Sequence, residues 1–246
     1  MKIITFDSLP STSTYIRQNI NTIEDGCYIV AKTQSCGRGR SGNSWLSSKD
    51  NLMFSFKIKL DNNQSLITLL VGVCVKNTLN KITKSNNFLI KWPNDIILNN
   101  KKVCGILCEY VKKASQSNII IGIGINVNQM DFDETIESKA TSLKKAYNQD
   151  FDNNKILECF DKCFNEEFDK LKNNNELAIQ NIINEVRANN YLLNKTFVIS
   201  NDINNKYKCI GITDEGLLEC IDENGQIKTF NSGEISLSSI YWLIAK

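Results

Sequence analysis

Glycine and arginine alternate in one short segment of this 246-residue chain, Gly37-Arg38-Gly39-Arg40, and Trp45 follows shortly afterwards. Glycine adopts a positive φ readily and lets backbone amides come close to a ligand. Arginine suits paired hydrogen bonds to carboxylate or phosphate oxygens. The segment therefore predicts a loop that folds over an anion, with a flexible surface turn as the balanced alternative. It has neither the Gly-Lys-Ser/Thr ending of a Walker loop nor the strand–GxGxxG–helix order of a dinucleotide site.

A second set of polar residues follows short predicted strands. Pro93 fixes φ and lacks a backbone donor, so it ends a strand and directs Asn94 and Asp95 outward. Lys102 begins the next strand, and Gly105 leaves room beside it for a ligand. The structural alternative makes Asp95 a turn cap and Lys102 a solvated strand end, which is the commoner outcome in a generic protein.

A third segment alternates glycine with isoleucine from Ile121 to Ile125 and ends at Asn126. One face of this strand is bare backbone, while the other packs into the core. Bare backbone in a strand indicates close approach by another strand or by a ligand. Asn126 is then a candidate to bind a phosphate or the water shell of a metal, with tight packing alone as the alternative.

The composition limits the chemistry and the partners of the chain. It contains no histidine, which excludes the usual nucleophilic triads and leaves Lys, Arg, Asp, Asn and backbone dipoles for catalysis. The net charge of +2, without a dense basic run, does not indicate a nucleic-acid partner. The longest apolar stretch, Leu66–Val75, is far shorter than the roughly 20 residues of a membrane span. No signal peptide follows Met1, so we expect no membrane contact.

Nine cysteines occur singly in the chain, without a CxxC pair. The pairs Cys104/Cys108 and Cys159/Cys163 have an i, i+4 spacing that could suit metal ligands. Free thiols among apolar neighbours are nevertheless favoured, because no histidine accompanies them. Free thiols indicate a reducing compartment, and we therefore expect a cytoplasmic protein.

Several strands and a helix must position these polar segments. The alternation of apolar and polar residues over Leu52–Leu60 predicts a half-buried strand. Ser65 is the expected N-cap of a helix that runs to about Ile82. Asn99-Asn100 supplies a tight turn, because asparagine tolerates positive φ. The other predicted strands are an N-terminal one, Phe88–Trp92, Ile96–Leu98, Lys102–Tyr110 and Ile119–Val127, of which the last is buried on both faces.

The last part of the chain changes character twice. Residues 153–190 have the apolar spacing of helices, interrupted by asparagines at 173–175. Short strands joined by turns follow at 196–200, 207–213, 217–221 and 227–230, which is typical of a small antiparallel barrel. We therefore expect an α/β (α+β) domain with a mixed sheet over residues 1–193 and a small all-β domain over residues 194–246.

Five motifs occur in a fixed order along the chain: GRGR-x-G-x-x-W, KWPND, KxxGILxE, GIGINxN and GEISL. Together they resemble the biotin–protein ligases, and the resemblance extends over nearly the whole chain. It implies a catalytic domain related to class II aminoacyl-tRNA synthetases and an SH3-like C-terminal barrel. It also implies formation of biotinyl-5'-AMP from biotin and ATP. Biotin would then be transferred to a lysine of a biotin carboxyl carrier domain, in the usual case that of acetyl-CoA carboxylase.

The resemblance also assigns roles to individual residues. Lys102, Arg38 and Asp95 are implied as catalytic, with Lys102 bridging the biotin carboxylate and the α-phosphate and Asp95 orienting the carrier lysine. The implied cofactors are ATP and Mg²⁺, which would be held mainly through the phosphates, with Asn126 as the one candidate protein ligand. The residues implied to bind ATP are Arg38, Arg40, Trp45, Lys102 and Asn126. Those implied to bind biotin are Ser11, Thr12, Ser13, Gln34, Gly37, Arg38, Gly39, Arg40, Lys102 and Gly105.

Some positions depart from the family's pattern. Pro10 and Ser13 stand where the family usually has Asp and Asn. Some members have a basic residue where Asn43 or Ser44 stands, and an arginine where Ser238 stands. These departures bear on the affinity of the loop and on the contribution of the C-terminal domain to ATP or carrier binding.

Two other functions are compatible with parts of the pattern. A lipoate–protein ligase shares the fold and the adenylation chemistry, and a non-catalytic biotin sensor would keep the pocket without the transfer step. The GRGR, KWPND and GEISL motifs favour biotin, and retention of Lys102, Asp95 and both loop arginines favours an enzyme. The helix-turn-helix of repressor-type members is not found before the catalytic domain, so DNA binding is not expected. An exposed sheet edge could support a homodimer.

Overall fold

The computed structural model describes residues 1–46, 48–60, 64–113, 116–199 and 202–232. A seven-stranded mixed sheet forms the centre of the larger part, with only its first two strands parallel. Its strands are β1 (Lys2–Leu9), β2 (Cys27–Gln34), β3 (Leu52–Ile58), β4 (Leu89–Lys91), β5 (Asp95–Leu98), β6 (Lys101–Lys113) and β7 (Gln116–Ile125). They lie in the order β1-β2-β3-β7-β6-β5-β4, so the long β6–β7 hairpin is near the centre of the sheet.

In the described ranges, five α-helices accompany this sheet, and they are α1 (Thr12–Gln18), α2 (Ile67–Thr83), α3 (Leu143–Tyr147), α4 (Asn153–Lys172) and α5 (Glu176–Ala188). Helix α2 packs against α4 and α5, whereas α1 packs against β2, β3 and β7. The break predicted between two helices at 173–175 is confirmed, because α4 ends at Lys172 and α5 begins at Glu176.

Strand β3 corrects one prediction, since it is buried along its whole length and not on one face only. On one face the ring of Phe56 lies 4.9 Å from that of Phe164 in α4, measured between centroids. On the other face the hydroxyl of Ser55 lies 2.7 Å from that of Thr12 in α1. The alternation of apolar and polar residues was therefore read correctly as a strand, but it does not mark a solvent-exposed side.

Local boundaries differ from the predictions in smaller ways. A 3₁₀ turn over Gln64–Leu66 precedes α2, so Leu66 and not Ser65 occupies the N-cap. Asn99 and Asn100 both have positive φ, at 51° and 61°, which confirms the predicted turn between β5 and β6. Helix α1, strand β2 and helix α3 were not predicted.

The C-terminal part forms a separate four-stranded antiparallel sheet, in the order β11-β10-β9-β8. Its strands are β8 (Thr196–Ile199), β9 (Asp202–Ile212), β10 (Leu218–Asp222) and β11 (Ile227–Phe230). The predicted fold class, an α/β domain with a mixed sheet followed by a small antiparallel β domain, is confirmed. The division at residue 193 stays a prediction.

The two sheets are joined by a continuous buried core. The indole Nε1 of buried Trp92 donates a hydrogen bond of 3.0 Å to the carbonyl of Gly216, which lies in the small sheet's β9–β10 turn. Arg187 of α5 donates from Nε to the carbonyl of Ile212 at 2.7 Å and forms an ion pair with Asp214. Polar and apolar contacts therefore both fix the small sheet against the large domain. Among the residues that the structure describes, each helix is too short or too polar to span a lipid bilayer.

Candidate active site

A cavity lies on the α1 side of the sheet, above the centre of the β6–β7 hairpin. The first turn of α1, the end of β2, the Gly-Arg loop and the β4–β5 connection form its walls. Of the residues predicted to form the site, it is lined by Ser11, Thr12, Ser13, Gln34, Arg38, Gly39, Arg40, Trp45, Asp95, Lys102 and Gly105. The structure therefore brings the predicted residues from four distant segments into one place, with Gly37 and Asn126 outside the lining.

One end of the cavity is a cluster of hydroxyl and amide groups. Ser11 caps α1, and its hydroxyl lies 3.0 Å from that of Ser13. The backbone amide and the hydroxyl of Thr12 both reach Oε1 of Gln34, at 2.8 and 3.1 Å. The same Thr12 hydroxyl contacts Ser55, which was not predicted as a site residue. Because these groups hold one another in place, they form a rigid surface that can both donate and accept hydrogen bonds.

The floor of the cavity is the bare backbone of two paired glycines, Gly105 of β6 and Gly124 of β7. The indole of Trp45 lies directly on them. A Cβ atom would come within 2.8 Å of the ring at Gly105 and within 2.5 Å at Gly124, so neither position has room for a side chain. This strand face is therefore closely approached by a side chain of the same chain, and not by the other strand or the ligand that was predicted. The buried Nε1 of Trp45 has no hydrogen-bond partner among the described residues.

Substitution Gly124→Ala should displace the Trp45 indole, because a methyl group cannot occupy the same space. We expect a changed Trp45 fluorescence spectrum and a Kd for the small-molecule ligand raised by about tenfold, an effect of roughly 1.4 kcal/mol. Fluorescence titration against a Trp45→Phe background measures both effects. Gly211→Ala is the control, since its Cβ would meet only Glu219 at 3.7 Å. Unchanged indole fluorescence in Gly124→Ala would contradict this packing.

Lys102 and Asp95 form an ion pair beside the glycine floor, with Nζ 2.7 Å from Oδ1. The Lys102 ammonium also lies 5.5 Å from the centre of the Trp45 ring. Its backbone is fixed on both sides, because Lys102 donates to the carbonyl of Lys139 and accepts from the amide of Thr141. A cation is thus held at a defined position in the cavity, against a carboxylate that is itself mostly buried.

Arg38, Arg40 and Lys91 line the same cavity and add three further cations. Burial lowers the pKa of the Lys91 ammonium, and the nearby Lys102 and Lys139 lower it further, while Asp95 opposes the shift. Burial also lowers the pKa of the Arg40 guanidinium, again opposed by Asp95. Lys91 belongs to the KWPND motif but was not predicted as a site residue. The cavity therefore concentrates positive charge around one carboxylate, an arrangement that attracts an anion.

The Gly-Arg loop folds into a small hairpin over the cavity. Trp45 donates from its amide to the carbonyl of Gly37 at 2.9 Å, and Gly39 donates to the carbonyl of Asn43 at 2.7 Å. A side chain at Gly37 would collide with the Trp45 carbonyl, so this glycine closes the hairpin and does not face the cavity. Ser41 has φ of 53° at the tip.

Each loop arginine is anchored to a different part of the fold. Arg38 forms a two-point hydrogen bond with Glu109 of β6, at 2.9 and 2.8 Å. Arg40 donates to the side chain of Asn94 at 3.1 Å and also to the carbonyl of Ser232. Asn94 and Glu109 belong to recognised motifs but were not predicted as site residues, because sequence order gives no sign of which side chains they meet.

Asn126 lies outside the cavity lining and is buried. Its amide donates to the carbonyl of Thr141 at 3.0 Å, and its side-chain oxygen accepts from Asn51 at 3.2 Å. These bonds tie the end of β7 to the segment that also holds Lys102, so the roles of Asn126 toward ATP and Mg²⁺ stay predictions. In the part of the chain that the structure describes, no group of three or more His, Cys, Asp and Glu side chains could hold a metal ion. The GEISL motif, 233–237, and Ser238 lie outside the described residues.

Similarity to known proteins extends along nearly the whole chain. Residues 5–126 match the model of the biotin/lipoate A/B protein ligase family, and residues 207–238 match the biotin protein ligase C-terminal domain. The bifunctional ligase/repressor BirA of Bacillus subtilis is 34% identical over 252 residues, covering 96% of this chain and 74% of the relative. The biotin–[acetyl-CoA-carboxylase] ligase of Mycobacterium tuberculosis is 28% identical over 126 residues, covering 48% and 45%.

A solved structure extends the similarity to the fold. The biotin protein ligase of Aquifex aeolicus in complex with biotin and ATP superimposes with a TM-score of 0.84 at 30% identity, covering 96% of this chain and 97% of that one. The family match, the relative that is similar over 96% of this chain and the shared fold lead to one conclusion. The chain belongs to the biotin protein ligase family.

Proposed function

We propose that this chain is an ATP-dependent biotin–protein ligase. It forms biotinyl-5'-AMP from biotin and ATP and then transfers biotin to a lysine of a biotin carboxyl carrier domain. The observation that carries the proposal is a single cavity with a neutral hydrogen-bonding end, a flat floor of glycine and tryptophan, and a cationic end around Lys102. The Aquifex aeolicus relative, which is bound to biotin and ATP, supports it.

The neutral end suits the ureido ring of biotin, which has both N–H donors and a carbonyl acceptor. Ser11, Thr12 and Ser13 are buried, and Gln34 is held against Thr12 by two hydrogen bonds. Their hydroxyl groups can rotate to donate or accept, so they can satisfy a neutral polar ring without a charged partner. The Trp45 indole on the glycine floor offers a flat apolar surface for the apolar part of the ligand.

The cationic end suits the first chemical step. A carboxylate oxygen of biotin attacks the α-phosphorus of ATP, the bond between the α-phosphorus and the bridging oxygen breaks, and pyrophosphate leaves with the bonding electrons. Two anionic groups must approach each other for this, so positive charge fixed in advance lowers the barrier. Lys102 lies beside Asp95 and the Trp45 ring, and its ammonium would neutralise both groups.

In the second step the carrier lysine, as a neutral amine, attacks the acyl carbon and AMP leaves. Asp95 lies at the cavity wall and is the carboxylate that can accept a hydrogen bond from the incoming amine and orient it. The name of the Mycobacterium tuberculosis relative supports acetyl-CoA carboxylase as the source of the carrier. The names of the Mycobacterium tuberculosis and Aquifex aeolicus relatives and of the matching C-terminal domain refer to biotin alone, which supports biotin over lipoate.

Mg²⁺ belongs to the proposal as a companion of ATP. The described residues do not form a carboxylate cluster that would hold Mg²⁺ by itself. Both polar atoms of the Asn126 side chain already form hydrogen bonds within the protein. The ion would therefore arrive bound to the ATP phosphates.

We also propose a cytoplasmic location, which agrees with nine cysteines that form no disulfide bond. The proposed function requires neither nucleic acid nor a membrane. A homodimer through a sheet edge is compatible with this function.

One incubation tests the function against its alternatives. The protein is mixed with ATP, an apo carrier domain, and either labelled biotin or labelled lipoate. Label on the carrier from biotin supports the proposal, whereas label from lipoate alone would make the chain a lipoate–protein ligase. Tight binding of biotin without label on the carrier would make it a biotin sensor. A carrier with its target lysine replaced by arginine is the control for specific transfer.

A further inference from the structure

Glu109 joins two elements that border the cavity without lining it itself. Its carboxylate accepts two hydrogen bonds from the Arg38 guanidinium and one of 2.7 Å from Arg17 in α1. Its side chain is only 14% exposed. The sequence separation is 71 residues to Arg38 and 92 to Arg17. A single carboxylate on β6 thus ties the Gly-Arg loop and the first helix to the sheet.

We propose that Glu109 is a positioning residue that holds Arg38, and with it the Gly-Arg loop, over the cavity. This inference rests on the proposed function, because the loop is there to retain an acyl-adenylate. Apart from Arg38, the loop is held to the rest of the fold by Arg40, by the Trp45 indole and by a hydrogen bond from Cys36 to the carbonyl of Pro10. The bonds between Gly37 and Trp45 are internal to the hairpin and do not attach it to the sheet.

The charge of the cluster explains why a carboxylate is needed at this position. Arg17 and Arg38 both reach the same oxygen of Glu109, so their guanidinium groups are close together and would repel each other without it. Two positive groups share one negative group, which leaves an excess of positive charge next to the cavity. Glu109 therefore fixes the position of Arg38 without cancelling its attraction for an anionic ligand. The two-point geometry also fixes the orientation of the guanidinium plane.

Substitution Glu109→Gln tests this role, because it keeps the shape of the side chain but removes the charge. We expect faster tryptic cleavage after Arg38 in the ligand-free protein and faster escape of the adenylate, each by about tenfold, since a charge-assisted pair is lost. The first-turnover rate of pyrophosphate release should change by a smaller factor than adenylate escape, because Lys102 keeps its position beside the reacting groups. Glu109→Asp retracts the carboxylate but keeps its charge, and it should show a smaller increase in both rates.

The controls separate a loosened loop from a loosened protein. Glu24→Gln removes an exposed pair with Lys2 and should leave both rates unchanged. The melting temperature of each variant shows whether the fold is retained. In an Arg38→Ala background, Glu109→Gln should not increase adenylate escape further, because the partner that it positions is already absent.

Three results would overturn the inference. The first is that both Glu109 variants keep the original rates of tryptic cleavage and adenylate escape. The second is that Glu24→Gln increases these rates as much as Glu109→Gln does. The third is that Glu109→Gln increases adenylate escape further in the Arg38→Ala background. Failure of the proposed function gives a different result. If the unaltered protein forms no biotin adenylate, the comparison of tryptic cleavage after Arg38 still decides the role of Glu109, because it requires no substrate.

Discussion

Substitution Lys102→Ala is expected to abolish formation of biotinyl-5'-AMP. The Lys102 ammonium is fixed next to Asp95 and above the glycine floor, where the carboxylate of biotin and the α-phosphate of ATP would meet. Removal of the Lys102 side chain leaves the Asp95 carboxylate without its cationic partner. The biotin carboxylate and the α-phosphate would then face a negative charge and not an ion pair. Loss of one fixed donor to a developing charge typically costs a factor of about 10² to 10³ in rate. We expect a loss at least that large in an assay of biotin-dependent pyrophosphate release.

The neighbouring Lys101 provides the matched control for this experiment. Its ammonium is exposed and donates to the carbonyl of Glu137, away from the cavity. Lys101→Ala should therefore retain the original rate, which excludes a general effect of lost charge at this strand. Circular dichroism and melting temperature establish that Lys102→Ala is folded. A rate close to the original in folded Lys102→Ala would remove this residue from the catalytic mechanism.

Substitution Arg38→Ala is expected to have the opposite kind of effect, in which the adenylate is made but not kept. Arg38 lines the cavity and is the loop's link to β6 through Glu109. Without it, the hairpin loses a charged anchor and the adenylate loses a cation that opposes its escape. We expect adenylate release to rise by about tenfold to a hundredfold, in proportion to one or two charge-assisted hydrogen bonds. Released adenylate acylates any exposed lysine amine.

Biotinylation of a bystander protein measures this release directly. Labelled biotin, ATP and an unrelated lysine-rich protein are incubated with each variant, and label on the bystander is compared with label on the carrier domain. Lys32→Ala is the control, because Lys32 forms an exposed pair with Asp7 and does not line the cavity. Normal retention of the adenylate by Arg38→Ala would show that the loop does not close through this residue.

The sequence predicted the structure best at positions where the backbone requires a particular residue type. The alternation of glycine with isoleucine in β7 predicted a face without side chains, and the structure places the Trp45 ring on it. The Asn99-Asn100 turn was predicted for the same reason, since few residues accept positive φ. Such features are local, and they can be recognised without knowing what packs nearby.

Features that depend on a distant partner were missed. Helix α1 begins Thr-Ser-Thr, a poor helix-forming sequence, and depends on its Ser11 cap and on contacts with Gln34 and Ser55. In β3, Lys57 is polar yet buried because Asp25 pairs with it. The pairing of Arg38 with Glu109 joins residues that are 71 positions apart in the sequence. Spacing alone does not contain these contacts.

The KWPND motif contacts both the cavity and the C-terminal sheet, and the contact with the sheet has a thermodynamic consequence. Asp95 faces the cavity, while Trp92 is hydrogen-bonded to Gly216 in the C-terminal sheet, and Arg40 connects the loop to Ser232 beyond that sheet. A ligand that binds the closed loop therefore also favours the docked state of the small sheet. Linkage requires the reverse to hold with the same free energy, so anything that strengthens docking of the small sheet tightens ligand binding. Saturating ligand should accordingly slow amide hydrogen exchange in β9 and β10, although neither strand lines the cavity.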